Sequence, residues 1–139
     1  MATMLHVADP RADQQLVSGF HAIEQNSWRW TEERFSVVLR PPPDAAQNGA
    51  MLTLKFSIPD VVSQKLGAMA LEASVGGAPL GKESYTMPGE FTYSREVPAK
   101  LLAGESVRVD FALDKSLPPG ESDQRNLGII VTAVGFESK

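Results

Sequence analysis

The chain has 139 residues, the size of one ordinary domain, and 42% of them are hydrophobic, which is enough to build a core. Its net charge of −4 is modest and its basic residues are scattered, so nucleic acid is not an expected partner. Cysteine is absent, which excludes disulfides, thiolate metal ligands and cysteine nucleophiles. The most apolar stretch, residues 127–136, is about half of a membrane span, and the first residues do not resemble a secretion signal. We expect a cytoplasmic protein without a membrane segment.

Apolar and polar residues alternate with period two along most of the chain, which predicts strands with one buried face and one wet face. Such strands are typical of antiparallel sheets. Arg95 interrupts the apolar face of one of them. In chain order the segments are "QLVSGFHAIE" (15–24), "RFSVVLR" (34–40), "MLTLKFSI" (51–58), "MALEASV" (69–75), "EFTYSREV" (90–97) and "SVRVDFAL" (106–113). The side chains predicted to face the core are Phe35, Val37, Leu39, Leu52, Leu54, Phe56, Ile58, Met69, Leu71, Ala73, Val75, Phe91, Tyr93, Val97, Val107, Val109, Phe111 and Leu113.

The last predicted strand, "NLGIIVTAVGF" (126–136), differs because both of its faces are largely apolar. A strand of this kind is usually central in its sheet and covered on both sides. We therefore predict a central position for it. The segment at 15–24 is the expected neighbour or cover.

Proline and glycine separate the predicted strands and favour turns. Gly76 and Gly77 supply the positive φ angles that a two-residue hairpin turn needs. At most one short helix is expected, in "PDVVSQKLGA" (59–68). No repeat or linker divides the chain, so residues 15–139 are predicted to form one domain and residues 1–14 a loose N-terminal tail. Eight or nine short strands spaced by turns predict an all-β fold, a single antiparallel β-sandwich.

Several phrases in the chain resemble a family of bacterial jelly-roll-like β-sandwich accessory domains found beside, or fused to, glycosyltransferases and other surface-polysaccharide enzymes. The matching phrases are "GFHAIEQNSWRWT" (19–31), "LTLKFSIP" (52–59), "EASVGGAPLG" (72–81), "GEFTYSREVP" (89–98), "VRVDFAL" (107–113) and "SDQRNLGIIVTAVGF" (122–136). Together they cover most of the chain after residue 16, and "RWT" and "DQRNLGI" are the more specific of them. The resemblance implies a jelly-roll-like, non-catalytic sandwich of the carbohydrate-binding-module type.

Both tryptophans of the chain, Trp28 and Trp30, lie on either side of Arg29. In an extended segment the two indoles point to one face and Arg29 to the other. An exposed pair would form flat plates for sugar rings. However, aromatic residues make up only 7% of the chain, and truncating a buried one costs about 3–5 kcal/mol. We predict that Trp30, which adjoins a strand, packs in the core, and that Trp28 is the better candidate for exposure.

Arg29, Asp123 and Arg125 are grouped by the family resemblance. An arginine among apolar neighbours needs a partner, because an unpaired buried charge is very costly. Asp123 or Glu24 could give Arg29 a bidentate carboxylate. Two interpretations follow: a polar patch that hydrogen-bonds sugar hydroxyls, or an ion pair that holds the Asp123 loop beside the tryptophans. The second is favoured.

Metal and nucleophile chemistry are not expected. Neither His6 nor His21 has a second histidine or a carboxylate at metal-ligand spacing, so no metal or other cofactor is predicted. Ser122 has no histidine in a matching context that could act as its base.

Catalysis by paired carboxylates is also disfavoured. The acidic clusters Glu32–Glu33 and Glu121–Asp123 could supply the two acids of a glycoside hydrolase. Acids beside turns are, however, normally solvated, and nothing in the sequence positions a pair. We therefore expect a protein that is not an enzyme.

The leading functional hypothesis is a non-catalytic carbohydrate-binding or carbohydrate-associated module, with an oligosaccharide or a polysaccharide-processing enzyme as partner. The alternative is a structural or protein-interaction module that docks onto an enzyme or forms a homodimer through an edge strand. Under the leading hypothesis, aromatic rings stack sugars and polar groups bind hydroxyls. The candidate ligand residues are Trp28, Tyr85 and Tyr93 for stacking, and Arg29, Asp123 and Arg125 for hydroxyl groups.

Overall fold

The computed structural model describes residues 1–120 and 123–139, and these form a jelly-roll-like β-sandwich of nine antiparallel strands. The strands are β1 (Met4–His6), β2 (Leu16–Phe20), β3 (Arg29–Leu39), β4 (Ala50–Ile58), β5 (Met69–Val75), β6 (Ala78–Tyr85), β7 (Gly89–Val97), β8 (Val107–Leu113) and β9 (Ile130–Ser138). The helices are α1 (Ala45–Asn48) and α2 (Asp60–Leu66), with 3-10 turns at Pro10–Gln14 and Ala99–Leu101. The predicted fold class is confirmed.

The strands form two layers that share β3. The back sheet has the order β1–β9–β4–β7, and the front sheet has the order β2–β3–β8–β5–β6. Arg29 and Trp30, at the start of β3, pair with β9 in the back sheet. From Arg34 to Leu39 the same strand pairs with β8 in the front sheet. The single long strand therefore crosses from one layer to the other.

The period-two alternation places the predicted side chains between the two layers. All of them are buried except Phe91, which is half-buried and packs against the core. The Phe35 and Phe111 rings stack with centroids 5.0 Å apart, and Phe20 meets Phe35 edge to face at 5.4 Å. Aromatic pairs of this kind add about 0.5–1.5 kcal/mol beyond the area that they bury.

The predicted hairpin turn is confirmed, whereas the expectation of at most one short helix is wrong. Val75 and Ala78 pair across a two-residue turn in which Gly76 and Gly77 have φ of 57° and 82°. The predicted short helix is α2, which starts directly after Pro59. The single turn of α1 is an additional helix that no pattern in the sequence indicated.

The N-terminal segment lies differently from the sequence prediction. Strand β9 is central, as predicted, but its neighbour at this edge is β1 rather than the segment at 15–24. That segment supplies β2, which pairs with β3. Residues 1–14 are not a loose tail, because Leu5 and Val7 are buried in the core. Strand β9 pairs with β3 only at Arg29 and Trp30, and β1 pairs with it at Ala133–Gly135. The local sequence pattern did not indicate this second pairing.

We expect Gly135→Ala to destabilise the protein by about 1–3 kcal/mol, because the new methyl group would overpack the contact between β9 and β1. A Cβ at Gly135 would lie 2.4 Å from the Thr3 carbonyl oxygen and 2.5 Å from the Met4 Cα. The free energy of unfolding from denaturant titration measures the effect. The control is Gly120→Ala, where a Cβ would meet no atom of the described residues within 4 Å. Equal stability of the two variants would show that β1 does not pack as described.

Candidate functional site

The structure separates the six predicted ligand residues into two groups. Trp28, Arg29, Asp123 and Arg125 lie around the start of β3 and the loop before β9. Tyr85 and Tyr93 lie on β6 and β7, which are the outer strands of the two sheets on the side away from that loop. A single groove lined by all six residues does not form.

Arg29 is buried, with 7% of its surface exposed, and its guanidinium is bound by the protein itself. Its Nε donates to the Val7 carbonyl oxygen at 2.9 Å, and Nη1 donates to the His21 carbonyl oxygen at 3.3 Å. Nη2 forms an ion pair with Asp13. The predicted partners of Arg29 were wrong, because the N-terminal segment folds across the start of β3 and brings its own carboxylate. Arg29 is therefore a structural anchor, because each of its three guanidinium nitrogens binds a group of the protein.

Arg125 takes the two carboxylates that were predicted for Arg29. Its Nη2 donates to Asp123 Oδ2 at 2.7 Å, and Nη1 donates to Glu24 Oε2 at 3.2 Å. The hydrogen bonds from Arg125 lower the pKa of Asp123 to about 2, and the bonds to Asp123 and Glu24 raise the pKa of Arg125. The favoured interpretation, an ion pair that holds this loop beside the tryptophans, is correct in kind, but the arginine is Arg125.

Asn126 fixes the same loop from its other side. Its Oδ1 accepts from the Glu33 backbone N–H at 3.0 Å, and its Nδ2 donates to Ser116 Oγ at 2.8 Å. His21 Nε2 lies 2.7 Å from the Asn126 carbonyl oxygen. The polar groups at this end of the sandwich thus bind one another and stabilise the loop before β9.

The tryptophans do not form an exposed pair of plates. Trp30 is half-buried and packs against the core, as predicted. Trp28 is also half-buried, and its indole Nε1 is shielded from solvent without a hydrogen-bond partner among the described residues. Its predicted exposure is therefore only partial.

Tyr93 is a structural residue, because its side chain is only 1% exposed and closes the sandwich between β7 and the front sheet. Its hydroxyl donates to the Gly81 carbonyl oxygen at 2.6 Å and accepts from the Ala73 backbone N–H at 3.2 Å. The guanidinium of Arg95, the residue that interrupts the apolar face of β7, covers the ring at 4.6 Å. Tyr93 cannot stack on a sugar, and its assignment as a stacking residue was wrong.

Tyr85 belongs to an aromatic cluster at the end of β6. Its ring lies 5.1 Å from Phe56 and 4.8 Å from Phe91, measured between centroids. Its hydroxyl is buried without a partner in the described part of the chain, and burial raises its pKa to about 12. The half-buried ring therefore serves packing more than it serves a ligand.

A different surface has the shape of a binding site. The outer face of the front sheet forms an open hollow of about 590 Å³, which lies within the usual size range of small-molecule sites. Short side chains form its floor and charged side chains rise from it. Its outward-facing residues are Ser18, Arg34, Ser36, Ala70, Glu72, Ser74, Lys82, Arg108, Asp110, Ala112 and Asp114. We call this surface the polar hollow.

One row of side chains crosses the polar hollow from strand to strand. Arg34 pairs with Ala112, Ala112 with Glu72, and Glu72 with Lys82. With neighbouring strands about 4.8 Å apart, the ends of this row are roughly 14 Å apart. Arg34, Glu72 and Lys82 make no side-chain hydrogen bond or ion pair within residues 1–120 and 123–139. Their polar groups are therefore open to a ligand.

The neighbouring row is already bonded internally. Asp110 accepts from Ser36 Oγ at 2.6 Å and from Arg108 Nε at 3.0 Å. Ser74 lies opposite Asp110 in the same row, and its hydroxyl forms no hydrogen bond with any described residue. The period-two alternation puts Arg34, Ser36, Arg108 and Asp110 on the wet faces of two strands, but only the order of the strands brings them together.

The structure describes only part of the two acidic clusters that were considered for catalysis. Glu32 is exposed, and the half-buried Glu33 accepts from Ser116 Oγ at 3.3 Å. Glu121 and Ser122 lie outside the described residues. Among the remaining residues no group of three or more histidines or acids could hold a metal ion, and no helix is long and apolar enough to span a membrane.

Comparison with known proteins assigns no family: no family model matches the chain, and no curated protein matches its sequence. Several solved structures match it in a comparison of folds, at low sequence identity. An exo-β-1,3-galactanase from Phanerochaete chrysosporium, solved with β-1,3-galactotriose, is 10% identical with a TM-score of 0.49; the match covers 98% of this chain but 29% of that one.

Two of these structures are of about the same size as the chain. The CBM36-1 domain of a multidomain xylanase from the hindgut metagenome of Trinervitermes trinervoides is 11% identical with a TM-score of 0.47, covering 92% of this chain and 94% of that one. A CBM4 structure is 11% identical with a TM-score of 0.44, covering 98% and 85%. At these identities and scores the matches establish neither a family nor a ligand for the chain.

We expect Tyr93→Phe to lower the free energy of unfolding by about 1–3 kcal/mol, because the Ala73 N–H and the Gly81 carbonyl group lose their buried partner. Tyr85→Phe is the matched control. It removes a hydroxyl that has no described partner, so stability should stay the same or rise slightly. Denaturant titration compares the two variants. If Tyr85→Phe lowered the free energy of unfolding as much as Tyr93→Phe does, the assigned hydrogen bonds would be contradicted.

The carboxyl group of Asp123 should titrate with a pKa of about 2, and Arg125→Gln should return it toward its usual 3.8. Because the folded-state pKa is the lower one, the ionised carboxylate stabilises the fold above pH 3.8, and this contribution disappears as the pH falls toward 2. Carboxyl-carbon NMR titration measures the shift. Asp9, whose pKa Arg11 also lowers to about 2, should not respond to Arg125→Gln. An unchanged Asp123 pKa in the variant would refute the ion pair.

Proposed function

We propose that this chain is a non-catalytic carbohydrate-binding module and that its ligand lies in the polar hollow of the front sheet. The observation that carries the proposal is the row of unpaired polar side chains, Arg34, Glu72 and Lys82, on an open sheet face with a small-residue floor. The family resemblance of the sequence supports the same class of function.

The chemistry of the polar hollow suits a polyhydroxylated ligand. Each sugar hydroxyl both donates and accepts hydrogen bonds, so a sugar site needs donors and acceptors side by side. Arg34 and Lys82 supply donors, Glu72 supplies acceptors, and the Ser18 and Ser74 hydroxyls supply both. The hollow carries three basic and three acidic side chains, a balance that disfavours a densely charged ligand such as a nucleic-acid backbone.

The proposed site differs from the one predicted by sequence because it relies on hydrogen bonds rather than on stacking. Phe111 is the single aromatic residue that lines the hollow, and its side chain is buried beneath the sheet. A ligand would therefore lie against Ala112 and Ser74 and be held at its edges by the long charged side chains. Docking to a polysaccharide-processing enzyme, homodimer formation and a cytoplasmic location stay predictions.

Ala112→Tyr should reduce oligosaccharide binding at least about tenfold, because the new ring would fill the centre of the polar hollow without entering the core. Ala112 faces outward on β8, and tyrosine is favoured in strands. Binding is measured by screening polysaccharide fragments on an array, followed by calorimetry of the tightest binder. Thr92→Tyr is the control, since Thr92 is exposed on the outer face of the back sheet.

The proposal fails if the folded wild-type protein binds no fragment, or if Ala112→Tyr and Thr92→Tyr bind as the wild type does. Circular dichroism confirms that each variant remains folded. In the first case a pull-down for an enzyme partner and light scattering for a dimer would test the protein-interaction alternative.

A further inference from the structure

The charges in the polar hollow are not equally available to a ligand. Asp110 is occupied by Ser36 and Arg108, and Asp114 accepts from the Ala70 backbone N–H at 2.8 Å. Arg108, in turn, is occupied by Asp110. The donor to Asp114 is a neutral N–H that leaves its charge in place, so the imbalance concerns only the open groups of the row itself.

Those open groups are two cations and one anion. In the described residues no acceptor binds the side chains of Arg34 and Lys82, and no donor binds that of Glu72. The cations lie at the two ends of the row and Glu72 lies between them. The open charge of the row is thus positive at both ends and net positive, although Asp114 adds a negative charge beside the row and the whole chain carries −4.

We propose, on the basis of the proposed function, that the ligand is an acidic polysaccharide that places a sugar carboxylate at Arg34 and runs across the strands toward Lys82. A guanidinium binds a carboxylate through two parallel hydrogen bonds, which makes arginine the residue suited to recognise the carboxylate of a uronic acid. Ala112, the cross-strand neighbour of Arg34, carries only a methyl group and leaves room for the sugar ring beside the guanidinium.

Glu72 sets the spacing of the charges in such a ligand. Its carboxylate accepts hydrogen bonds from sugar hydroxyls at the middle of the row and repels a ligand carboxylate placed there. The row spans roughly 14 Å, more than one sugar ring, so charges on separate sugar units can meet Arg34 and Lys82 while a neutral part of the chain faces Glu72. A polymer with a charge at every position along its backbone would meet repulsion from Glu72.

The test compares the acidic and the neutral form of one polymer. Oligomers in which galacturonate or glucuronate alternates with a neutral hexose are titrated calorimetrically beside their methyl esters, which keep the same rings without the charge. We expect one acidic oligomer to bind the wild type about tenfold or more tightly than its ester does, and its affinity to fall with added salt. Arg34→Gln should remove most of this preference, and Lys82→Gln should remove part of it.

Lys55→Gln is the matched control, because Lys55 is an exposed cation on the outer face of the back sheet, and its change should leave the preference intact. A sulfated galactan oligomer distinguishes a sulfate ester from a carboxylate as the charged group. Binding of the sulfated oligomer alone would overturn the carboxylate assignment.

Equal binding of acid and ester, or a preference that survives Arg34→Gln, would overturn this inference and leave the proposed function standing. The absence of binding by every oligosaccharide tested, including those on the array, would overturn both. Circular dichroism of each variant separates lost binding from lost folding.

Discussion

The sandwich depends on one strand that belongs to both of its layers. Strand β3 begins beside β9 in the back sheet and continues beside β8 in the front sheet, so the two sheets cannot slide independently. Arg29 fixes the start of β3, because its guanidinium binds the Val7 carbonyl oxygen and Asp13 from the N-terminal segment. A buried arginine without these partners would be costly, so the order of the N-terminal segment and the position of β3 support each other.

The opposite side of the sandwich is closed by a hydrogen bond between the layers. Tyr93 on β7 reaches the Gly81 carbonyl oxygen on β6 and the Ala73 N–H on β5, where the pairing of these two strands shifts its register. The irregular pairing leaves backbone groups that need partners, and the phenol supplies one. Aromatic residues that could have formed a sugar platform are thus used to join the sheets, which leaves ligand recognition to charged and hydroxyl side chains.

The polar hollow follows from the same alternation that builds the core. Every core residue of β3, β8 and β5 has a neighbour that points outward, and in this sheet many of those neighbours are short or charged. Ala112 and Ser74 keep the floor low, whereas Arg34 and Lys82 rise at its sides. A surface with a low centre and charged sides can hold an extended polar ligand in a way that a uniformly bulky face cannot.

Local patterns in the sequence were enough to predict which side chains of each strand face inward and where the chain turns, because both properties depend on a few adjacent residues. The alternation at Phe35–Val37–Leu39 and the positive φ of Gly76 and Gly77 are examples. The neighbours of each strand, in contrast, became known only from the folded chain. It paired Arg29 with Asp13, and it aligned Arg34, Ala112, Glu72 and Lys82 from four strands into one row. Such contacts join residues that are distant in the chain, and no local periodicity shows which strands lie side by side in a sheet.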